Sequence, residues 1–189
     1  MKFCSNCGSK VQLRVPDGDN RDRYVCVDCD TIHYQNPRVV TGCLATWEDK
    51  VLLCRRAIEP RSGYWTLPAG FMENGESVHE AAVRETLEEA NARIELHGLY
   101  TLFNLPHANQ VFIIYRGRLL DLDYSPGEES LEVGLFREDE IPWQDIAFSM
   151  VEETLRLYFK ERDSGDFETH TRTIVRLSKE PRRYRIETP

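Results

Sequence analysis

Five side chains between residues 70 and 92 carry the most chemical information in this sequence. In GFMENGESVHEAAVRETLEEANA, Glu76, Arg84, Glu85, Glu88 and Glu89 follow a glycine turn at Gly70. On a helix advancing about 100° per residue, Glu85, Glu88 and Glu89 fall within an arc of roughly 100°. Like charges so placed repel by a few tenths of a kcal/mol per pair, and no lysine separates them. A hard divalent cation removes that conflict, because Mg²⁺ takes oxygen ligands and shares itself with substrate phosphates. Arg84 is the only fixed cation of the segment, and its placement after Glu76 predicts a bidentate pair tying loop to helix. The chemistry expected is metal-assisted attack of water on a diphosphate. Mg²⁺ or Mn²⁺ would be held by Glu85, Glu88, Glu89 and the Gly70 carbonyl.

These residues need a helix to hold them. Ser77 followed by Glu80 predicts a capping box at its start, and Asn91 predicts a left-handed cap at its end. Val83, Thr86, Leu87 and Ala90 are expected on a separate, packed side.

The spacing Gly70, Glu76, Arg84, Glu85, Glu88, Glu89 resembles the Nudix box, the signature of the Nudix hydrolases. Thr86, Asn91 and Ala92 depart from it, where an aliphatic residue, a glycine and a larger apolar residue are usual. None of the three removes a carboxylate. The resemblance implies metal-dependent cleavage of a diphosphate linked to another moiety. It does not by itself select the nucleoside.

Cys4, Cys7, Cys26 and Cys29 form two CxxC pairs, a spacing that suits a structural four-cysteine zinc site. A module this small buries too little apolar surface to fold unaided, so Zn²⁺ is expected to hold it. Paired disulfides, which need an oxidising compartment, and a redox CxxC are the competing readings. Pro16-Asp17-Gly18-Asp19 reads as a hairpin tip. Cys43 and Cys54 lie in apolar runs and are expected in the core.

Net charge is −8 over 189 residues. That argues against general binding to nucleic acid or membrane surfaces, and a polyanionic substrate then requires metal. No apolar run reaches the length of a membrane span, and the N-terminus lacks a secretory signal. A cytoplasmic location is expected.

Strand patterns recur over 38–46, 51–54, 93–103, 110–120 and 131–136, and 148–162 has helical spacing with Ser149 a candidate cap. Strands flanked by two helices predict an α/β fold with a mixed sheet between helical layers. This resembles the αβα sandwich of Nudix domains, preceded here by a small zinc ribbon. The expected division is 1–35 ribbon, 36–162 Nudix domain and 163–189 polar C-terminal tail. Within the tail, 173–177 reads as a short strand, and Pro181 is expected to end any pairing.

Beyond the box, Glu128, Glu129 and Glu132 form a second acidic cluster, and one of them, Glu132 or Glu129 foremost, is a candidate further ligand or general base. Arg55 and Arg56 are candidate phosphate contacts. Phe71 and Phe103, with Tyr64 and Tyr115, are candidate ring-stacking residues. The stretches FCSNCG, YQNPRVVTGCL, KVLLCRR, YWTLPAGFMENGES and PGEESLEVGLF resemble the FAD diphosphatases of plant chloroplasts. That resemblance implies cleavage of FAD or ADP-ribose with release of AMP, and a ribbon that packs on the main domain or builds a homodimer. The alternatives are an NADH pyrophosphatase that also removes NAD caps from RNA, and a nucleotide-binding module without catalysis. The pyrophosphatases carry a Ser-Gln-Pro-Trp-Pro-Phe-Pro marker after the box; this chain has Leu102-Phe103-Asn104-Leu105-Pro106-His107 instead.

Overall fold

The computed structural model describes residues 1–178 and 183–188. The chain forms two compact units, Met1–Pro37 and Arg38–Pro189.

In the first unit, β1 (Val11–Arg14), β2 (Arg23–Cys26) and β3 (Ile32–His33) make an antiparallel sheet in the order β1-β2-β3. The hairpin tip is closed by the Asp19 N–H donating to the Pro16 carbonyl at 3.1 Å. Val25 and Pro16 join Cys4 and Cys26 as buried apolar residues here, while Phe3, Leu13, Val15 and Val27 stay exposed. So small a core leaves the cysteine cluster as the unit's main cohesion.

The second unit is a mixed sheet with a helix on each face. Its strands are β4 (Arg38–Trp47), β5 (Lys50–Arg56), β6 (Trp65–Thr66), β7 (Ala69–Phe71), β8 (Ile94–Leu105), β9 (Gln110–Leu119), β10 (Ser130–Phe136), β11 (His170–Ser178) and β12 (Arg183–Glu187). The helices are α1 (Val78–Ala90) and α2 (Ser149–Glu161). The order is β10-β5-β4-β9-β8-β11-β12, with β6 beside β5 and β7 beside β4. The β4/β9 and β8/β11 pairs are parallel and the others antiparallel.

The two faces follow from strand alternation. Leu44, Val51 and Leu53 pack with Met150, Val151, Leu155 and Phe159 of α2. Their neighbours Cys43, Ala45, Leu52 and Cys54 point the other way, into a core shared with Ala90 at the end of α1. Both free cysteines are therefore core residues. On the α2 face, the Thr101 and Thr154 hydroxyls pair at 3.1 Å, which satisfies two buried polar groups.

Three expectations require correction. Ser149 is the first helical residue of α2; Phe148 occupies the cap and offers no side-chain bond. Val83 and Leu87 are exposed, and the buried side of α1 carries Ala81, Ala82, Glu85, Thr86, Glu89 and Ala90. Two of the three acidic residues of the arc, Glu85 and Glu89, thus face inward, and Glu88 stays exposed. Finally, 163–189 is not a solvated tail throughout. β11 runs parallel to β8 with His170 opposite Thr101 and Thr173 opposite Asn104, and β12 pairs with β11. Ile174 is 1% exposed in the main core, and burying that side chain anchors the strand. The strand-ending role read for Pro181 lies outside the described residues.

Candidate metal and diphosphate site

The capping box forms as its residues require. The Ser77 N–H donates to Glu80 Oε2 at 2.8 Å, and the Glu80 N–H donates to Ser77 Oγ at 3.4 Å. Asn91 closes α1 at φ 49° with its N–H on the Leu87 carbonyl. Its side-chain amide also donates to the Ser125 and Pro126 carbonyls at 3.2 Å, which glycine cannot do. The departure from the usual box thus anchors the loop carrying Glu128 and Glu129. Gly127 completes the docking: its N–H donates to the Glu89 carbonyl at 3.0 Å, and a Cβ there would overlap the Glu88 carbonyl. Thr86, another departure, satisfies its buried hydroxyl on the Ala82 carbonyl at 2.8 Å.

Arg84 organises the carboxylates. Its Nε and Nη2 donate to Glu76 Oε2 and Oε1 at 3.0 and 2.7 Å, and its Nη1 donates to Glu85 at 2.7 Å and Glu88 at 2.9 Å. Glu76 also accepts from the Glu73 N–H at 2.6 Å. Its bonds to Arg84, then this amide, hold its pKa down to about 2. Glu76 is therefore a clamp between loop and helix and does not line the cleft described below.

Glu89 is the reverse case. It is 6% exposed, and among the described residues its carboxylate accepts one hydrogen bond, a long one from the Ala69 N–H at 3.4 Å. Burial, and next the neighbouring Glu85 charge, push its pKa up to about 8. Glu85 is also raised, by burial that outweighs the Arg84 contact. Gly70 lies against Glu85 so closely that a Cβ would overlap its carboxylate. An almost buried, under-bonded carboxylate beside a second one and an acidic loop is a donor set suited to Mg²⁺ or Mn²⁺.

These groups occupy one end of an open cleft of about 1810 Å³ in the second unit. Glu85, Glu88, Glu89, Glu128 and Glu129 line it, as does Gly70. Arg56 and Arg61 line it too, so cationic side chains face the anionic end. Arg61 was not foreseen. It sits at φ 68° with its guanidinium 4.3 Å from the Tyr64 ring centre and its Nε on the Ala147 carbonyl at 3.1 Å. Backbone held in that region by surrounding contacts is a known companion of functional sites.

Other expected residues are elsewhere. Arg55 donates to the Gly63 carbonyl at 2.9 Å and pairs with Glu132 at 3.7 Å, and neither residue lines the cleft. They sit opposite each other in the β5–β10 register, which turns both away. Of the two loop carboxylates expected foremost, Glu129, two residues before the bulge, lines the cleft and Glu132 does not. Phe103 is 0% exposed in the core and cannot stack on a ligand. Phe71 does line the cleft, with the Arg38 guanidinium over its ring at 4.6 Å.

In the first unit, the Sγ atoms of Cys4, Cys7, Cys26 and Cys29 lie within 4.8 Å of one another. The Cys4–Cys29 and Cys7–Cys26 separations are 3.8 and 3.4 Å. A tetrahedral ion with Zn–S bonds of about 2.3 Å sets sulfurs about 3.8 Å apart, so the cluster fits Zn²⁺. Among the described residues this is the one such convergence of three or more donors. The box carboxylates spread wider, three of them, Glu76, Glu85 and Glu88, held by Arg84.

Comparison with known proteins agrees with this geometry. The model for the Nudix N-terminal zinc ribbon matches residues 2–35, and the NUDIX domain model matches residues 36–158. The NAD-capped RNA hydrolase NudC of Pseudomonas aeruginosa is 27% identical over 167 residues, covering 87% of this chain and 58% of that protein. The chain thus spans less than two thirds of that relative. The ADP-ribose pyrophosphatase of Methanocaldococcus jannaschii is 27% identical over 113 residues, 58% of this chain and 67% of that protein. A NUDIX hydrolase from Nitrosomonas europaea has a similar crystal structure, with TM-score 0.89 and 57% identity over 93% of this chain and 99% of that one.

Proposed function

The chain belongs to the Nudix family, and from that premise we propose that it hydrolyses a nucleoside diphosphate linked to another moiety, FAD or ADP-ribose foremost, releasing AMP. The observation that carries this is Glu89, nearly buried and under-bonded, beside Glu85 and opposite Glu128 and Glu129 at one end of a cleft walled by arginines. Gly70, Glu85, Glu88 and Glu89 are the residues that would hold Mg²⁺ or Mn²⁺. Bound there, the metal supplies charge neutralisation for the diphosphate and its transition state.

The chain's own groups do the rest. Arg56 and Arg61 bind phosphate oxygens at the cleft wall and orient the anhydride. Arg84 holds Glu85 and Glu88 in position, and its fork to Glu76 would keep it anchored if those two carboxylates were to hold a dication instead. Glu129, on a loop fixed by Asn91 and Gly127, takes the proton of the attacking water. Zn²⁺ in the ribbon is structural, since four cysteines leave it no open position.

The sequence stretches that resemble the chloroplast FAD diphosphatases favour FAD. The ADP-ribose pyrophosphatase relative favours ADP-ribose. NADH or an NAD cap is the second reading, favoured by the NudC likeness running through both ribbon and domain. Action in the cytoplasm as a homodimer completes the proposal; among the described residues no helix is long and apolar enough to cross a membrane. The test is AMP release from FAD, ADP-ribose and NADH with Mg²⁺ or Mn²⁺. Cleavage of FAD or ADP-ribose supports the first reading, preference for NADH supports the second, and cleavage of none refutes both.

A further inference from the structure

The same cleft extends beyond the phosphate end into a part of different chemistry, built by the C-terminal strands. Leu105, His107, Gln110, Phe112, Ile174 and Tyr184 line it. Leu105 and Ile174 are buried. The His107 and Tyr184 rings face each other at 5.8 Å, tilted by 42°. His107 Nδ1 is covered and meets no hydrogen-bond partner, and the Gln110 side chain makes no hydrogen bond among the described residues. No acidic side chain is among these six. We propose that this hairpin wall, β11 and β12 with the 105–112 segment, is the subsite for the planar nitrogen heterocycle of the nucleotide and sets which nucleotide is accepted. This rests on the diphosphatase reading for what lies at the other end.

The chemistry selects a ring over a sugar. A sugar presents several hydroxyls that each need a partner, and an unpaired buried polar group costs about 1–3 kcal/mol. Here the Phe112 and Tyr184 rings and aliphatic side chains offer face contacts, and few polar groups stand beside them: the Gln110 amide, the Tyr184 hydroxyl and Arg176, opposite Tyr184 in the hairpin register. A heterocycle has an apolar face and a few edge donors and acceptors, which match the Gln110 amide. Because β11 joins the sheet through β8, the subsite is carried on the main sheet.

The test uses the full-length protein and the variants Tyr184→Leu, Tyr184→Phe and Gln110→Leu. KM and kcat are measured for whichever of FAD, ADP-ribose and NADH is cleaved. Binding of adenosine, riboflavin and nicotinamide riboside is measured by titration without added Mg²⁺ or Mn²⁺. Loss of the stacked ring in Tyr184→Leu, or of a hydrogen bond in Gln110→Leu, is expected to raise KM about tenfold, with kcat within about twofold and the Mg²⁺ midpoint unchanged, and Tyr184→Phe restores KM. The preferred nucleoside loses affinity in parallel, which distinguishes adenine, flavin and nicotinamide as the ring. If the wild type cleaves none of the diphosphates, the diphosphatase reading fails, while the nucleoside titrations still decide the subsite. Should Tyr184→Leu disturb the hairpin, Gln110→Leu on β9 carries the same test. Folded variants with unchanged KM, or unchanged nucleoside binding where nothing is cleaved, overturn the inference, and so does a wild type that binds no nucleoside and variants that shift no KM.

Discussion

Replacing Glu89 by glutamine is expected to stabilise the protein at alkaline pH while abolishing its activity. The carboxyl titrates at an ordinary 4.5 when unfolded and near 8 when folded, because burial disfavours its charge. The folded state therefore binds the proton more tightly. Its contribution to stability is fully present below about pH 4.5 and is lost as pH rises towards about 8. At about 1.36 kcal/mol per pH unit, the loss has a ceiling of about 5 kcal/mol, which relaxation and water entry reduce. Half of it, at about 2–4 °C per kcal/mol for a domain of this size, gives a rise of about 5–10 °C for Glu89→Gln above about pH 8. Near pH 5 the two proteins should melt within about 2 °C of each other. The assay is tryptophan fluorescence in buffer without added Mg²⁺ or Mn²⁺. Trp47, Trp65 and Trp143 are the only tryptophans, and all lie in the second unit, so the ribbon does not contribute. Equal melting temperatures across the pH range would refute the buried, uncompensated carboxylate.

Other outcomes follow from the same geometry. Glu129→Gln should cut turnover by about 10²-fold or more, whereas Glu132→Gln, whose partner is Arg55 outside the cleft, should leave it unchanged; steady-state kinetics separates the two. Arg84→Ala leaves three carboxylates without their cation and should destabilise the second unit by about 2–4 kcal/mol, read as a shifted denaturant midpoint. Arg84→Lys should recover only part of this, because an ammonium cannot reproduce the fork to Glu76. Stripping zinc should unfold the ribbon, observed as release of one Zn²⁺ per chain and collapse of amide dispersion for residues 1–37; an unchanged spectrum would refute a structural ion.

The box was legible because its information is local. Capping residues, the Glu76–Arg84 pair and the cysteine spacing all act over a few residues or along one helix, where period and chemistry suffice. What depends on distant partners was not. The inward face of α1 carries Glu85 and Glu89 in place of Val83 and Leu87, since the helix packs its small residues on β4 and β7 and opens a cleft there. Polarity alone assigns the faces the other way. β11 was read only as a short strand over 173–177, without its place in the sheet: Ile174 is its only buried side chain, and its pairing with β8 joins residues some seventy apart. Arg61 and Glu129 reach the cleft through loop geometry, a left-handed residue in one case and the Asn91 and Gly127 anchors in the other, which no periodicity reports. Phe103 was misplaced because an aromatic on a strand looks the same whether it faces ligand or core.

The central claim is that Glu85, Glu88 and Glu89 hold the dication that makes diphosphate cleavage possible. Anomalous diffraction from crystals soaked in Mn²⁺, alongside AMP release by the same preparation, addresses it directly. A manganese peak within about 2.2 Å of Glu89 and Glu85 oxygens, absent in Glu89→Gln together with turnover, is the predicted result. A nucleotide cleaved at the wild-type rate while that cluster stays free of metal would contradict it.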